Sequence, residues 1–251
     1  MRKSRFLPSW LFLPGRIMMM LVILSVSAAA CDGDANGGGG QGAAQPAGNV
    51  CDGVSACTRV GAADLDADGT ADGIALVRAA PQRWLLRVAP AGGSVAEFRF
   101  DGPAIGPDEP WYGTAQVDGV PGAEIVLLTD RGAHTTWFTV LTYRNGQLVR
   151  SDPPGERPEP ESGWPVDSAN SGWIGYACGK QGETVTLLAS ASERNDDPAR
   201  PEAYNEINTL YGWTDSGWRE LSSRNVAYNA GDHSGEEHAG WHCDGLPVYP
   251  D

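Results

Sequence analysis

Apolar residues fall in short runs broken by glycine, proline and small polar residues, and no long segment spaces them at the helical period. Ile74-Ala75-Leu76-Val77 is one such run. The stretches "WLLRVAPAGGSVAEFRF" (84–100), "TWFTVLTYRNGQLVR" (136–150) and "INTLYGWTDSGWREL" (207–221) each hold two runs around a glycine-bearing turn. Asn145-Gly146, between Tyr143 and Leu148, predicts a two-residue hairpin, because both central residues of such a turn need positive φ. Ala91-Gly92-Gly93 and Asp215-Ser216-Gly217 predict slightly longer hairpins. The segments "DGPAIGPDEPW" (101–111) and "SDPPGERPEPESGWP" (151–165) are too proline-rich for interior strands, and "SERNDDPARPEAYNE" (192–206) reads as a polar insertion. The pattern predicts an all-β chain of antiparallel strands.

The runs repeat. "ADLDADGTADGIALV" (63–77) lies over "AQVDGVPGAEIVLLT" (115–129) at an offset of 52, with Ala63 on Ala115, Asp66 on Asp118 and Asp72 on Glu124. "YACGKQGETVTLLAS" (176–190) repeats the outline about 60 residues later, a glycine-bearing loop followed by a β-rich run. A period of this size indicates stacked supersecondary units, here about 62–100, 113–150 and 171–221, followed by a C-terminal loop segment. Three units are too few for a full seven-bladed ring, so the expectation is a small or incomplete propeller-like domain over residues 51–247.

The first thirty residues have the layout of an export signal. Arg2, Lys3, Arg5 and Arg16 precede "IMMMLVILSV" (17–26), too short for an ordinary membrane span, and then "SAAAC". Small residues before Cys31 resemble a bacterial lipobox, which implies lipid on Cys31 and a chain held on the outer face of a membrane. The alternative is a secretory signal cut near Ala30. Residues 31–50 hold Cys31 and a Gly- and Ala-rich stretch, 32–49, which has no large apolar side chain and reads as a flexible tether. Without its first thirty residues the chain keeps 14 of 18 basic and all 32 acidic side chains, a formal charge of −18. That balance argues against nucleic acid and suits a protein that meets divalent cations. Beyond Cys31 remain Cys51, Cys57, Cys178 and Cys243, which allow three disulfide pairings. Cys51–Cys57 with Cys178–Cys243 is favoured by the short "CDGVSAC"; the alternatives join the N-terminal segment to the later cysteines.

"DLDADGTAD" (64–72) carries the clearest chemistry. Aspartates at alternate positions, then Gly69, then Asp72, are what a hard divalent ion requires: six to eight oxygens and a turn sharp enough to wrap them. The expected ligands are Asp64, Asp66, Asp68 and Asp72, with the Thr70 carbonyl. The twelfth position of an EF-hand would be Ala75, within the apolar run, so that motif is excluded. A D-x-D-x-D-G-x-x-D loop running straight into an apolar strand resembles the FG-GAP/VCBS repeat family, whose calcium loops lie in integrin-type β-propellers and bacterial surface proteins. The resemblance implies Asp64, Asp66, Asp68 and Asp72 as calcium ligands with a structural role. In the second unit the equivalent positions are Gln116, Asp118, Val120 and Glu124, which leaves Asp118 and Glu124 as a weak second metal loop.

"DHSGEEHAGWHCD" (232–244) gathers His233, His238 and His242, a zinc alternative without the H-E-x-x-H order, set against a polar C-terminal loop pinned by Cys243. Trp111, Tyr112, Trp213, Trp218 and Trp241 are enough aromatics to stack on sugars, or to fill a core. The sequence holds no G-x-S-x-G and no P-loop, and no G-x-G-x-x-G follows a strand-like run. The expected function is therefore a non-catalytic, calcium-stabilised surface module that binds an extracellular protein or glycan. A lectin is the first alternative and a zinc hydrolase the second.

Overall fold

The computed structural model describes residues 49–249, apart from residues 92, 104–108, 156–162, 196–198 and 200–202. The signal segment, Cys31 and all but the end of the tether lie outside the described residues. Fourteen strands account for most of what is described: β1 Cys57–Ala63, β2 Asp72–Ala80, β3 Arg83–Ala89, β4 Ala96–Asp101, β5 Trp111–Ala115, β6 Glu124–Arg131, β7 Thr135–Arg144, β8 Gln147–Ser151, β9 Trp164–Ala169, β10 Gly172–Gln181, β11 Thr184–Arg194, β12 Tyr204–Thr214, β13 Gly217–Tyr228 and β14 Gly240–His242. A 3-10 turn, Ser234–His238, precedes β14. The chain is all-β, as its run lengths predict, and all but one of its strand pairings are antiparallel.

β1 to β4 form a four-stranded meander, and β5 to β8 run in the same up-and-down order. The internal offset of 52 holds at fine detail: β2 starts at Asp72 and β6 at Glu124, while the first strand of each set carries a bulge, at Arg59/Gly61 and at Trp111/Gly113. Bulges placed alike bend the two first strands alike, which keeps the loops that follow them in register. Asn145 and Gly146 have φ of 52° and 81°, and Arg144 faces Gln147 across them, the predicted hairpin.

The central strands read as continuous apolar runs because both of their faces are covered. Ile125 and Leu127 of β6 pack with Leu65, Ile74, Leu76, Trp84, Leu86 and Leu141 between the two meanders. Val126 and Leu128, on the opposite face of β6, pack with Phe138, Val140, Trp164, Tyr176 and Trp241. The β5–β8 meander is thus a middle layer with a core on each side. Loss of Ile125 or Leu127 to Ala would cost about 2–5 kcal/mol.

The second and third units share one sheet. β7 is ten residues long, and β8 pairs with its C-terminal half while β9 pairs with Thr135–Phe138 on the same edge, so the strands merge into one ten-stranded sheet. Neither this sheet nor the four-stranded one closes into a barrel. The C-terminal segment, expected as a polar loop, contributes a short strand and three buried side chains. β14 pairs in parallel with β10, and Ala239, Trp241 and Cys243 are buried. Gly175 permits that approach, since a Cβ there would lie 1.9 Å from the His238 carbonyl oxygen. The disulfides are Cys51–Cys57 and Cys178–Cys243, the favoured pairing. The second ties the C-terminal segment to β10.

Candidate metal centre

The loop between β1 and β2 is shaped by its own carboxylates. Asp66 Oδ1 accepts from the Asp68 N–H (3.1 Å), Asp68 Oδ1 from the Thr70 N–H (2.7 Å) and Asp64 Oδ2 from the Gly69 N–H (3.0 Å). These short-range bonds, with Ala67 at φ 63° and Gly69 at φ 85°, curl the chain over a few residues. Leu65, fully buried, fastens the loop to the core, and Asp72 Oδ2 accepts its N–H at 2.8 Å. Asp72 Oδ1 takes the Ala91 N–H at 3.1 Å, which joins the loop to the β3–β4 connection.

This curl brings one carboxylate oxygen each from Asp64, Asp66 and Asp72 within 4.8 Å of one another, and among the described residues no other group of three acidic, histidine or cysteine side chains does so. Two oxygens that share a calcium ion at about 2.4 Å can be no more than about 4.8 Å apart, so the spacing fits one hard cation. Asp64 Oδ1 is buried without a hydrogen-bond partner from the protein. Burial, and then the charges of Asp66 and Asp68, raise the Asp72 carboxyl above its ordinary value. The Tyr143 hydroxyl is raised by burial and by Asp66 and Asp72. Negative potential therefore reaches beyond the loop. Of the four expected carboxylates, the structure gathers three. Asp68 is exposed and stands outside the group, holding Thr70 through the latter's N–H.

The loop between β5 and β6 repeats the architecture with different chemistry. Glu124 Oε2 accepts the Val117 N–H at 2.8 Å, as Asp72 does from Leu65, and Asp118 Oδ1 accepts the Val120 N–H at 2.7 Å, as Asp66 does from Asp68. Gln116 stands in Asp64's place, and its amide donates to the Asp118 and Val120 carbonyls at 2.9 and 2.8 Å. Arg144 Nη2 lies 3.2 and 3.3 Å from the two Asp118 oxygens and 3.4 Å from Glu124 Oε1. Asp118 and Glu124 are buried, and a guanidinium already meets both. The second metal loop expected from the sequence is thus a loop that carries its own cation. Burial, with the Asp118 charge adding to it, pushes the Glu124 carboxyl up to about 7, against the donors from Val117, Asp118 and Arg144. The two loops touch: the Ala123 N–H donates to the Asp64 carbonyl at 2.9 Å, and a Cβ on Gly122 (φ 107°) would lie 2.3 Å from the Leu65 carbonyl oxygen.

The three histidines do not assemble a zinc site. His233 Nδ1 meets Glu236 (2.7 Å), His238 Nδ1 meets Glu206 (2.8 Å) and His242 Nε2 donates to the Ala239 carbonyl (2.9 Å). Of the proposed sugar-stacking set, Tyr112 and Trp241 are buried and Trp111 packs against the core, while Trp213 and Trp218 form an edge-to-face pair. Two residues that matter here, Arg144 and Glu206, were not singled out from the sequence. Arg144 adjoins a hairpin signal and reaches carboxylates 20 and 26 positions away, which no spacing rule marks. Glu206 fell at the end of the supposed insertion, although the alternation in "YNEIN" (204–208) is a strand signal. Comparison with protein-family models, curated proteins and solved structures finds no match.

Proposed function

We propose that the protein is a calcium-stabilised, non-catalytic β-repeat module that works outside the cell membrane, held there through lipid on Cys31. The observation that carries the calcium reading is the convergence of Asp64, Asp66 and Asp72 on one loop, with Asp64 Oδ1 lacking a protein partner. A divalent ion there would relieve the repulsion among the aspartates, and loop carbonyls and water would complete its oxygen shell. On this reading the two meanders and the merged third unit form an open, propeller-like stack, whose connecting loops carry the binding. The two disulfides suit an oxidising compartment.

Equilibrium dialysis of the full chain against calcium tests the site. One ion per chain is expected, none in Asp66→Ala, and magnesium should compete weakly because it demands a tighter octahedron. No calcium bound, or full binding by Asp66→Ala, would refute the site.

A glycan-binding reading has one specific observation in its favour. A cavity of about 290 Å³ is lined by Phe100, Asp101, Thr129, Asp130, Trp137, Thr139 and Arg150. An aromatic face beside carboxylates and a guanidinium suits a sugar. Titration of tryptophan fluorescence with cell-wall glycans separates the readings: a saturable change lost in Trp137→Ala would favour the lectin.

A further inference from the structure

A second cavity, of about 410 Å³, lies where β10 and β11 meet the C-terminal segment. It is lined by Ala177, Leu188, Ser190, Glu237, His238 and His242, and it is remote in sequence from the aspartate loop. The hydrogen bonds behind its wall fix what the wall can offer.

Glu206 is fully buried, and its carboxylate accepts four side-chain donors: Trp173 Nε1 (2.9 Å) and His238 Nδ1 (2.8 Å) on Oε1, Asn208 Nδ2 (2.9 Å) and the Tyr228 hydroxyl (2.6 Å) on Oε2. Burial alone would raise this carboxyl, but the four donors outweigh it and hold it below the ordinary range. An ionised Glu206 accepts only, so His238 carries a proton on Nδ1, and in the neutral imidazole its Nε2 keeps a lone pair. Because Asn208 gives its NH₂ to Glu206, its Oδ1 is an acceptor, and Ser190 Oγ donates to it at 2.5 Å. The Ser190 hydroxyl has then spent its proton, and only lone pairs remain for the cavity. His242 donates from Nε2 to the Ala239 carbonyl, which in the neutral imidazole leaves Nδ1 as its acceptor. Glu237, exposed at the rim, adds a carboxylate.

All four polar side chains of the wall therefore present acceptors, with apolar Ala177 and Leu188 between them. The complement is a donor-rich cation. The acceptors are too widely set for a bare ion, because no three of the ligand atoms of Glu237, His238 and His242 fall within 4.8 Å. We propose that this cavity binds a small organic cation, a primary ammonium on a short aliphatic or sugar frame. The ammonium would donate to Glu237 and to the imidazole lone pairs, and the carbon frame would lie on Leu188 and Ala177.

The test follows the histidine ring signals of the full chain by NMR during titration with 1,4-diaminobutane and with glucosamine, each beside its neutral counterpart, 1,4-butanediol or glucose. Zinc chloride is the metal arm. The expected result is a saturable shift of the His238 and His242 signals with at least one amine, and affinity at least about tenfold weaker for the neutral counterpart. Glu237→Gln and His242→Gln, both at exposed positions, should each weaken the amine about tenfold or more while the strand signals of the folded protein stay unchanged. Response to 1,4-diaminobutane alone identifies the frame as aliphatic, and response to glucosamine alone as a sugar. The proposal is overturned if neither amine gives a saturable shift, if the neutral compounds bind as well, if both variants bind as the parent does, or if only zinc shifts both rings. None of these outcomes depends on calcium at the aspartate loop, so this site and that one fail separately.

Discussion

A guanidinium within 3.4 Å of two buried carboxylates and a loop of converging aspartates are two answers to one electrostatic problem. In the second loop the counter-charge is covalently part of the chain. Removing it by Arg144→Met leaves Asp118 and Glu124 buried without a cation, and urea denaturation at pH 7 should show a loss of up to about 3–5 kcal/mol. Glu124→Gln in the same background should recover part of that loss. Glu124 also sets a pH dependence. Its folded-state value near 7 exceeds the ordinary 4.5, so the folded protein holds this proton more tightly than the unfolded chain does. The resulting stabilisation is complete below pH 4.5 and disappears as pH rises through about 7. Its size is on the order of 3 kcal/mol at most. Glu124→Gln should flatten this part of the stability–pH profile, and an unchanged slope in the variant would assign it to other groups. The aspartate loop was legible in the sequence because its carboxylates lie at alternate positions of one short stretch. Arg144 was not, because its role depends on where a hairpin places it beside a loop formed much earlier in the chain.

The strands were legible for a similar reason: each run carries its own period, its own turn and, in two units, the same loop-then-strand order. The merging of sheets was not. It depends on β8 being short enough to leave half of β7's edge open, where β9 pairs. The burial of Ala239, Trp241 and Cys243 was hidden by the polar residues around them, since it comes from the approach to Gly175 and a disulfide to a distant strand. The two disulfides act on elements of different reach. Cys51–Cys57 closes a loop of six residues and Cys178–Cys243 one of 65. In the chain-entropy account the longer loop contributes about 2 kcal/mol more. Paired replacement by serine should therefore lower stability more at Cys178/Cys243, with proteolysis of the C-terminal segment rising first; equal losses would point to strain or to residual structure in the unfolded chain.

At the scale of the whole molecule, the aspartate loop occupies a joint. It leaves β1, enters the central strand β2, hydrogen-bonds to the β3–β4 connection through Asp72, and receives the Ala123 N–H from the second meander. On the proposed reading, ordering that loop with an ion would stabilise the packing of the first two layers rather than one surface turn, since a ligand that binds only the folded state raises stability by mass action. Calcium at a hundredfold excess over its dissociation constant would add about 2.7 kcal/mol, roughly 5–10 °C for a domain of this size. Thermal unfolding of the full chain in millimolar calcium and in chelator, for the parent and for Asp66→Ala, measures this most directly. The account predicts a calcium-dependent rise in Tm in the parent and none in the variant. Identical melts of the parent in calcium and in chelator, or an equal rise in Asp66→Ala, would contradict it.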